Sequence, residues 1–232
     1  MEGSNDFIVK TSDNKMGIIG SDGITKVRLE YDDIKELDKN LGLYLVTSNN
    51  RQGVVNNNGK IIVYQDYDQI GLPNTINDTN VTNKYILLGN CIPVKRNDKW
   101  GLIDINGNDL TPIEYDGFGC DADTSEDSRY TDVLIIPDLN GIVVELDEVN
   151  EKTRTKKYGV VTADGNLFIN IVLDSIYSLT TQGETTYYAT FQGQIIDLVD
   201  FVRQQQESWE QNNNTNNVSQ NNANAENNGS TN

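Results

Sequence analysis

The feature that most constrains the fold is a segment that recurs four times with a fixed internal spacing of two glycines. In each copy a basic residue stands two positions before the first glycine, and the second glycine follows six positions after the first. The copies are KMGIIGSDGITKVRLEYDDI from Lys15, RQGVVNNNGKIIVYQDYDQI from Arg51, KWGLIDINGNDLTPIEYDGF from Lys99 and KYGVVTADGNLFINIVLDSI from Lys157. Recurrence in constant register predicts one structural unit used several times.

Both glycines have a predicted role in each copy. The second glycines end the stretches SDG, NNG, ING and ADG, where a turn needs the positive φ that glycine tolerates; they are Gly23, Gly59, Gly107 and Gly165. Residues rich in β-branched side chains flank these turns, so each copy predicts a β-hairpin. The first glycines lie inside a strand and predict either a bulge or an aromatic ring lying over the backbone; they are Gly17, Gly53, Gly101 and Gly159.

Further apolar runs complete the unit. One precedes each basic residue, and another follows a Tyr-Asp or Leu-Asp pair after each hairpin, which predicts up to four short strands per copy, connected as a meander. A partial fifth unit is expected in Tyr187 to Phe201, with Gly193 in the role of either glycine. After it, a helix capped by Asp197 would place Val199, Val202 and Trp209 on similar faces and close the end of the repeats.

The predicted fold is therefore all-β: one domain of tandem antiparallel β-meander repeats over residues 1–203, propeller-like or an open superhelical array, with a short C-terminal helix as a cap. Residues 204–232 are almost entirely Asn, Gln, Ser and Thr. Such a segment has too few apolar side chains to offset the entropy of ordering it, so a disordered tail is predicted.

Charge excludes several classes of function. The chain has 18 basic and 35 acidic residues, a net charge of -17 and no histidine. Without clustered Lys and Arg, neither a nucleic acid nor an anionic membrane surface is an expected partner. Without histidine, His-dependent catalytic triads and His-rich metal sites are excluded.

The two cysteines and the apolar runs bear on the compartment. Cys91 and Cys120 are too few for a disulfide framework and have no CxxC spacing. Free thiols are the favoured interpretation and a disulfide between them is the alternative. MEGSNDFIVK, the N-terminal stretch, lacks the apolar core of a secretory signal, and no apolar run reaches 18 residues, so a soluble chain in the cytoplasm is expected.

The order of basic residue, aromatic, Gly, two aliphatics, Asp or Asn with Gly, and Tyr-Asp resembles the bacterial WG repeat, also called the KWG repeat. The third copy, KWGLIDINGNDLTPIEYD with Pro112, matches it fully, whereas Met16, Gln52 and Tyr158 replace Trp100 in the others. The resemblance covers about Phe7 to Asp200. It implies an all-β repeat array, propeller-like or superhelical, without a general catalytic residue or cofactor.

Candidate sites are few, and each has a structural alternative. The carboxylates of DTSEDSRYTD are ligands of the kind that Ca²⁺ prefers, but their spacing is not that of an EF-hand, so a solvated acidic loop is favoured; they are Asp121, Asp123, Glu126 and Asp127. Asp104, Asn106 and Gly107 are interpreted as a turn. Residues that recur in register are interpreted as structural: the acids Asp32, Asp68, Asp116 and Asp174, and the tyrosines Tyr31, Tyr67 and Tyr115, whose alternative role is stacking on sugars or peptides. Trp100 is the expected core anchor.

No catalytic, cofactor-binding or metal-binding residue is therefore predicted, and the chain is not expected to be an enzyme. The expected function is a non-catalytic scaffold, monomeric in isolation, that binds a protein partner through the variable loops Leu72 to Tyr85 and Cys120 to Asp132. The negative charge favours a basic partner. Two alternatives stay open: a structural component of a larger assembly, such as an envelope complex or phage particle, and a carbohydrate-binding module.

Overall fold

The structure, a computed structural model, describes residues 6–72, 85–149 and 153–204. These residues form mostly β-strands in antiparallel sheets, so the all-β prediction is confirmed. Residues 198–204 are helical, and two short 3-10 helices occur at Leu88–Asn90 and Pro137–Leu139. Residues 205–232, for which a disordered tail is predicted, lie outside the described residues.

The described strands form five sheets. The first contains β1 (Phe7–Lys10), β2 (Met16–Ile19) and β3 (Thr25–Tyr31), and the second contains β4 (Asp33–Asp38), β5 (Leu43–Ser48), β6 (Arg51–Asn56) and β7 (Ile61–Tyr67). The third contains β8 (Gln69–Ile70), β9 (Ile92–Arg96) and β10 (Lys99–Ile103). The fourth contains β11 (Gly117–Phe118), β14 (Gly141–Val149), β15 (Arg154–Thr162) and β16 (Leu167–Leu173), with β13 (Ile135–Ile136) paired to β14. The fifth contains β12 (Tyr130–Thr131), β17 (Ser175–Thr181), β18 (Glu184–Phe191) and β19 (Gln194–Asp197).

Two compact units can be distinguished. One comprises Met1–Cys120 and Leu134–Val172, and the other comprises Asp121–Val133 and Leu173–Asn232. The first four sheets belong to the first unit, apart from the last residue of β16, and the fifth sheet belongs to the second unit. The assignment of residues 1–203 to one domain stays a prediction.

The second glycine of each copy forms the predicted turn. Its φ lies between 75° and 86° in all four copies, a conformation that side chains with a Cβ disfavour. In each turn the glycine N–H donates to the carbonyl oxygen three residues earlier over 2.9–3.0 Å. The prediction of a hairpin turn at Gly23, Gly59, Gly107 and Gly165 is confirmed.

The first glycine of each copy lies where the partner strand presses against the backbone. A Cβ on Gly17 would lie 2.6 Å from the carbonyl oxygen of Val27, and one on Gly53 would lie 2.6 Å from that of Val63. The strand register shifts beside both glycines, so of the two predicted alternatives the bulge is the correct one there. Only glycine leaves room for the bulged strand.

The sheets do not follow the boundaries of the sequence copies. The run after each Tyr-Asp or Leu-Asp pair was predicted to be a late strand of its own copy, and this is wrong, because it forms the first strand of the next sheet. These first strands are β4, β8, β11 and β17, which pair with β5, β9, β14 and β18. The cause is the aspartate, whose backbone N–H donates to a carbonyl of that next sheet.

One aspartate per copy therefore joins neighbouring sheets of the first unit. The Lys15 Nζ is 2.6 Å from an Asp32 carboxylate oxygen, and the other oxygen accepts the backbone N–H of Asn49, in the next sheet, over 2.8 Å. Asp68 makes the same two contacts with Arg51, at 2.6 Å, and with the N–H of Asn97, at 2.7 Å.

Asp116 makes this junction between the third and fourth sheets. It contacts Lys99 at 2.7 Å and accepts the N–H of Asp147 over 2.9 Å. Burial alone would raise the pKa of Asp116, but the hydrogen bonds from Asp147 and Lys99 together hold this pKa below its ordinary value. The carboxylate is therefore stabilised in its charged form.

The turn glycines add a second contact between neighbouring sheets. A Cβ on Gly59 would lie 2.3 Å from the carbonyl oxygen of Lys26, and one on Gly107 would lie 2.4 Å from that of Ile62. Gly165 repeats this with Leu110 at 2.1 Å, whereas a Cβ on Gly23, in the first copy, would meet nothing within 4 Å. Each of the three later turns thus packs against the backbone of the copy before it.

We expect Gly107→Ala to destabilise the chain far more than Gly23→Ala. Both variants force alanine into positive φ, which costs about 1–2 kcal/mol. Only Gly107→Ala also drives a Cβ into a carbonyl of the preceding sheet, which should cost about 2 kcal/mol more. Urea unfolding followed by circular dichroism measures the difference, and equal losses in the two variants would contradict the packing contact.

Candidate interaction site

Of the two loops predicted to bind a partner, the structure describes one. Residues 73–84, nearly all of the loop Leu72 to Tyr85, lie outside the described residues. The segment Cys120 to Asp132 is described, and its residues from Asp121 onward belong to the second unit together with β17, β18 and β19. This segment therefore carries the candidate site.

Hydrogen bonds hold this segment in a fixed conformation. The Asp132 carboxylate accepts the backbone N–H of Ala122 over 2.8 Å and ties the start of the loop to its end. Near the end of this segment, β12 pairs with β17, and the hydroxyls of Thr131 and Ser178 lie 2.7 Å apart. The sequence predicted a variable loop here, but the structure shows its last residues to be part of the fifth sheet.

Three tyrosines stack across this sheet. The ring centroids of Tyr130 and Tyr177 are 4.1 Å apart, and those of Tyr177 and Tyr188 are 5.6 Å apart, with interplanar angles of 27° and 26°. Tyr177, in the middle, is buried. Burial, together with a hydrogen bond to Tyr130, raises the pKa of Tyr177 to about 12, so its phenol stays protonated at neutral pH.

A cavity of about 200 Å³ opens between the loop and these strands. Carboxylates and tyrosines make up much of its wall: Asp121, Asp123, Glu126, Asp174, Tyr130 and Tyr177. The volume is below the 300–1,000 Å³ that is common for pockets holding drug-sized ligands. The cavity is thus of a size to hold one side chain or a small cation, and its acidic wall suits a group of positive charge.

The acidic residues in and beside the cavity divide by their contacts. Asp123 accepts the hydroxyl and the backbone N–H of Ser125 over 2.5 Å and 3.0 Å, and these hydrogen bonds lower its pKa. Asp174 accepts the N–H of Gln192 over 3.0 Å, which is the junction contact seen in the earlier copies. Asp127 is not part of the wall: it pairs with Arg129 at 2.5 Å, and this contact lowers the pKa of Asp127 to about 2.

The geometry does not assemble the Ca²⁺ site that the sequence left open. Asp127 pairs with Arg129 and does not line the cavity, whereas the other three candidate ligands, Asp121, Asp123 and Glu126, do. Within the described ranges, no group of three or more Asp, Glu, Cys or His side chains is placed to hold a metal ion. The acidic loop is therefore better described as a charged surface than as a metal centre.

A second, wider cavity, of about 460 Å³, lies on the first unit. Charged residues of both signs line it: Asp98, Lys99, Asp116, Glu145, Asp147, Arg154 and Lys156. Lys156 lies 2.9 Å from Glu145, and the Arg154 Nε donates to Asp147 over 2.7 Å. These ion pairs surround the Asp116 junction, so this group of charges forms a network around that contact.

The remaining candidates lie inside the fold. Tyr31, Tyr67 and Tyr115 are buried in three separate core clusters, and Trp100 is buried with Tyr115, its ring edge against Phe118 at 6.1 Å. Their interpretation as packing residues is confirmed. Asp104 is a turn residue, accepting the N–H groups of Asn106 and Asn108 over 2.8 Å each.

The cysteines and the C-terminal cap also agree with the sequence. Cys91 and Cys120 are buried thiols with no disulfide between them, as favoured, and burial raises the pKa of the Cys91 thiol to about 11. Asp197 caps the predicted helix by accepting the N–H of Asp200 over 3.1 Å. On this helix Leu198 and Val202 are buried, whereas Trp209 lies outside the described residues.

Sequence reasoning missed the stacked tyrosines and the ion pairs at the junctions. The ion pairs had a visible signal, because a basic residue precedes an aspartate by 17 positions in every copy. Tyr130, Tyr177 and Tyr188 had none: Tyr130 lies in an insertion, and the other two lie in or beside the partial fifth unit, where no recurring register exists.

Comparisons with known proteins add no identity to this geometry. A scan against protein-family models, a search of curated proteins and a search of solved structures found no match. Across the described ranges, no helix has the length and apolar character needed to cross a membrane.

We expect Tyr177→Phe to reduce the loss of stability in alkali. The pKa of the Tyr177 phenol is about 12 in the folded chain and about 10 in the unfolded chain. The contribution of this phenol to the free energy of unfolding is therefore present below about pH 10 and is lost as pH rises toward 12. Phenylalanine keeps the ring stack and removes this proton, which should lessen the loss between pH 8 and pH 11 by about 1.4 kcal/mol. The readout is the free energy of unfolding at about pH 8 and about pH 11.

The matched control is Tyr64→Phe, because Tyr64 is 69% exposed. Its stability profile should follow the wild type. If Tyr177→Phe loses as much stability in alkali as the wild type and the control, Tyr177 does not titrate as described.

Proposed function

We propose that the chain is a non-catalytic β-repeat scaffold, propeller-like or an open array, that binds a protein partner at the acidic cavity of the second unit. The observation that carries this proposal is the cavity wall itself, in which carboxylates and tyrosine rings meet on a segment held by hydrogen bonds and strand pairing. The resemblance to the WG repeat supports the scaffold, since that family is built as a repeat array.

A lysine or arginine side chain of the partner suits this cavity. Asp121, Asp123 and Glu126 supply negative charge for an ion pair, and charge-assisted hydrogen bonds are the stronger ones in proteins. Tyr130 and Tyr177 supply aromatic rings, to which cations are attracted. The net charge of -17 would attract a basic partner over longer range and raise the rate of encounter.

Catalysis has less support. The recurring carboxylates of Asp32, Asp68 and Asp116 pair with lysine or arginine side chains and accept backbone N–H groups at the sheet junctions, where they stabilise the fold. Carbohydrate binding would need exposed rings along a groove, and the recurring tyrosines are buried instead. A structural role in a larger assembly is left as an outcome of the test below.

The test is capture of a partner from a lysate of the source cells with the immobilised full-length chain. The site variant is Asp121→Lys with Glu126→Lys, which reverses charge on the cavity wall. Its control is Glu184→Lys, an exposed position at a hairpin turn of the same unit. Circular dichroism first establishes that both are folded.

We expect a basic protein to be retained by the wild type and by Glu184→Lys, and retention by the site variant to fall at least about tenfold. Equal retention by all three would show that the partner binds elsewhere. Recovery of nothing from a folded sample would count against a partner-binding scaffold and favour a role that requires the assembled structure.

A further inference from the structure

The first sheet lacks a strand that the other sheets have. In the second to fifth sheets the first strand, β4, β8, β11 or β17, pairs with one edge of the second strand, β5, β9, β14 or β18. β1 takes the place of that second strand in the first sheet, because it pairs with the strand that carries the first glycine. Among the described residues β1 pairs with β2 alone, so its other edge is open.

Strand register identifies the equivalent residues. Lys10 lies opposite the residue before Gly17, as Thr47 lies opposite the residue before Gly53. The Thr47 carbonyl accepts the N–H of the junction residue Asp32 over 2.8 Å. By this equivalence the Lys10 carbonyl points to the open edge.

Ile8 points its backbone to the same edge. Its equivalents are Pro93 in β9 and Val143 in β14. The Pro93 carbonyl accepts the N–H of the residue that follows β8 over 2.8 Å, and the Val143 carbonyl accepts the N–H of the residue that follows β11 over 2.9 Å. Ile8 and Lys10 therefore present a ladder of backbone groups ready for a further antiparallel strand.

Side-chain exposure in β1 agrees with a missing neighbour. Val46, Val94 and Val144 are fully buried at the position that corresponds to Val9, which is only half-buried. Phe7 is 55% exposed and Ile8 is 41% exposed, whereas Ile92 and Val143 at equivalent positions are fully buried. β1 thus leaves apolar surface in water that a first strand covers in the other sheets.

We propose that the open edge of β1 binds an extended segment of a partner protein, which adds as an antiparallel first strand. The sequence of this partner segment is inferred from the first strands that the chain itself supplies to the other sheets. In β4, Asp33 lies opposite Thr47 and Ile34 lies opposite Val46. In β8, Gln69 and Ile70 lie opposite the equivalent residues Lys95 and Val94. A partner strand in this register places its third residue opposite Lys10, its Asp one residue earlier and its aliphatic residue opposite Val9.

Charge favours an acidic residue at the position of that Asp. Lys10 is exposed at the end of β1, next to this position, so a carboxylate there faces positive charge. Elsewhere the segment should be neutral or basic, because the whole chain carries a net charge of -17. The partner segment is therefore an aromatic–Asp–x–aliphatic strand within a neutral or basic stretch, bound by strand addition.

The probe is a fluorescent synthetic peptide with the sequence of Tyr67–Leu72 and a lysine added at each end. A control peptide replaces the isoleucine by aspartate and so removes the apolar contact with Val9. Binding to the full-length chain is measured by fluorescence anisotropy. We expect saturable binding of one peptide per chain and at least about tenfold weaker binding of the control peptide.

Two protein variants locate the site. Lys10→Glu should weaken binding of the probe about fivefold, because it puts like charges side by side. Lys39→Glu makes the same charge change at an exposed residue of the second sheet's hairpin and should leave binding unchanged. Hydrogen exchange of Phe7–Lys10 gives an independent readout, since addition of the probe should slow exchange at the outward-facing amides.

Four results would overturn the proposal: no saturable binding, equal affinity for the two peptides, equal weakening by both variants, or amides of β1 that are protected before peptide is added. In the last case sedimentation identifies the occupant, as a dimer indicates a second copy and a monomer indicates the chain's own residues. This surface is distinct from the acidic cavity, so Lys10→Glu should retain a partner captured there, and the two proposals can fail separately.

Discussion

The described sheets of the first unit depend on one carboxylate at each junction. In three successive copies an aspartate binds the basic residue of its own copy and accepts a backbone N–H from the next sheet, from a turn in the first two copies and from β14 in the third. Its own backbone N–H donates to that next sheet as well. The same aspartate lies between one sheet and the first strand of the next. A chain that keeps this strand register therefore also keeps the contact between the two sheets. The glycine turns then pack against the preceding copy, at distances that exclude a Cβ.

The junction contacts bear on function because they occupy the recurring acids. The recurring acids Asp32, Asp68 and Asp116 are bound into the fold, so the two proposals rest on residues that do not recur. Those residues lie in the inserted segment Cys120 to Asp132, with its tyrosine stack, and in β1, which pairs with β2 alone among the described residues. We propose a binding surface at each place, and the two suit different chemistries: a cationic side chain in the cavity, and an extended strand at the edge.

Local features were predictable from the sequence because each rests on a short-range constraint. The positive φ at Gly107, the bulges at Gly17 and Gly53, the burial of Tyr115 and the cap at Asp197 follow from turn chemistry, register or capping rules. The change of sheet after Asp116 was missed because pairing between strands is a long-range choice. Tyr177 was missed because one partner, Tyr130, comes from an insertion and the other, Tyr188, from the partial fifth unit, where no copy offers a comparison.

The most direct test of the junction is the free energy of unfolding of Asp116→Asn, with exposed Asp138→Asn as control. Because the folded pKa of Asp116 is lowered, its contribution is present above about pH 4 and is lost as pH falls further. Asp116→Asn should lose about 2 kcal/mol at neutral pH and exchange amide hydrogens faster in β10 and β14, on both sides of the junction, with the loss shrinking in acid. Equal stability of the two variants at neutral pH would contradict the account.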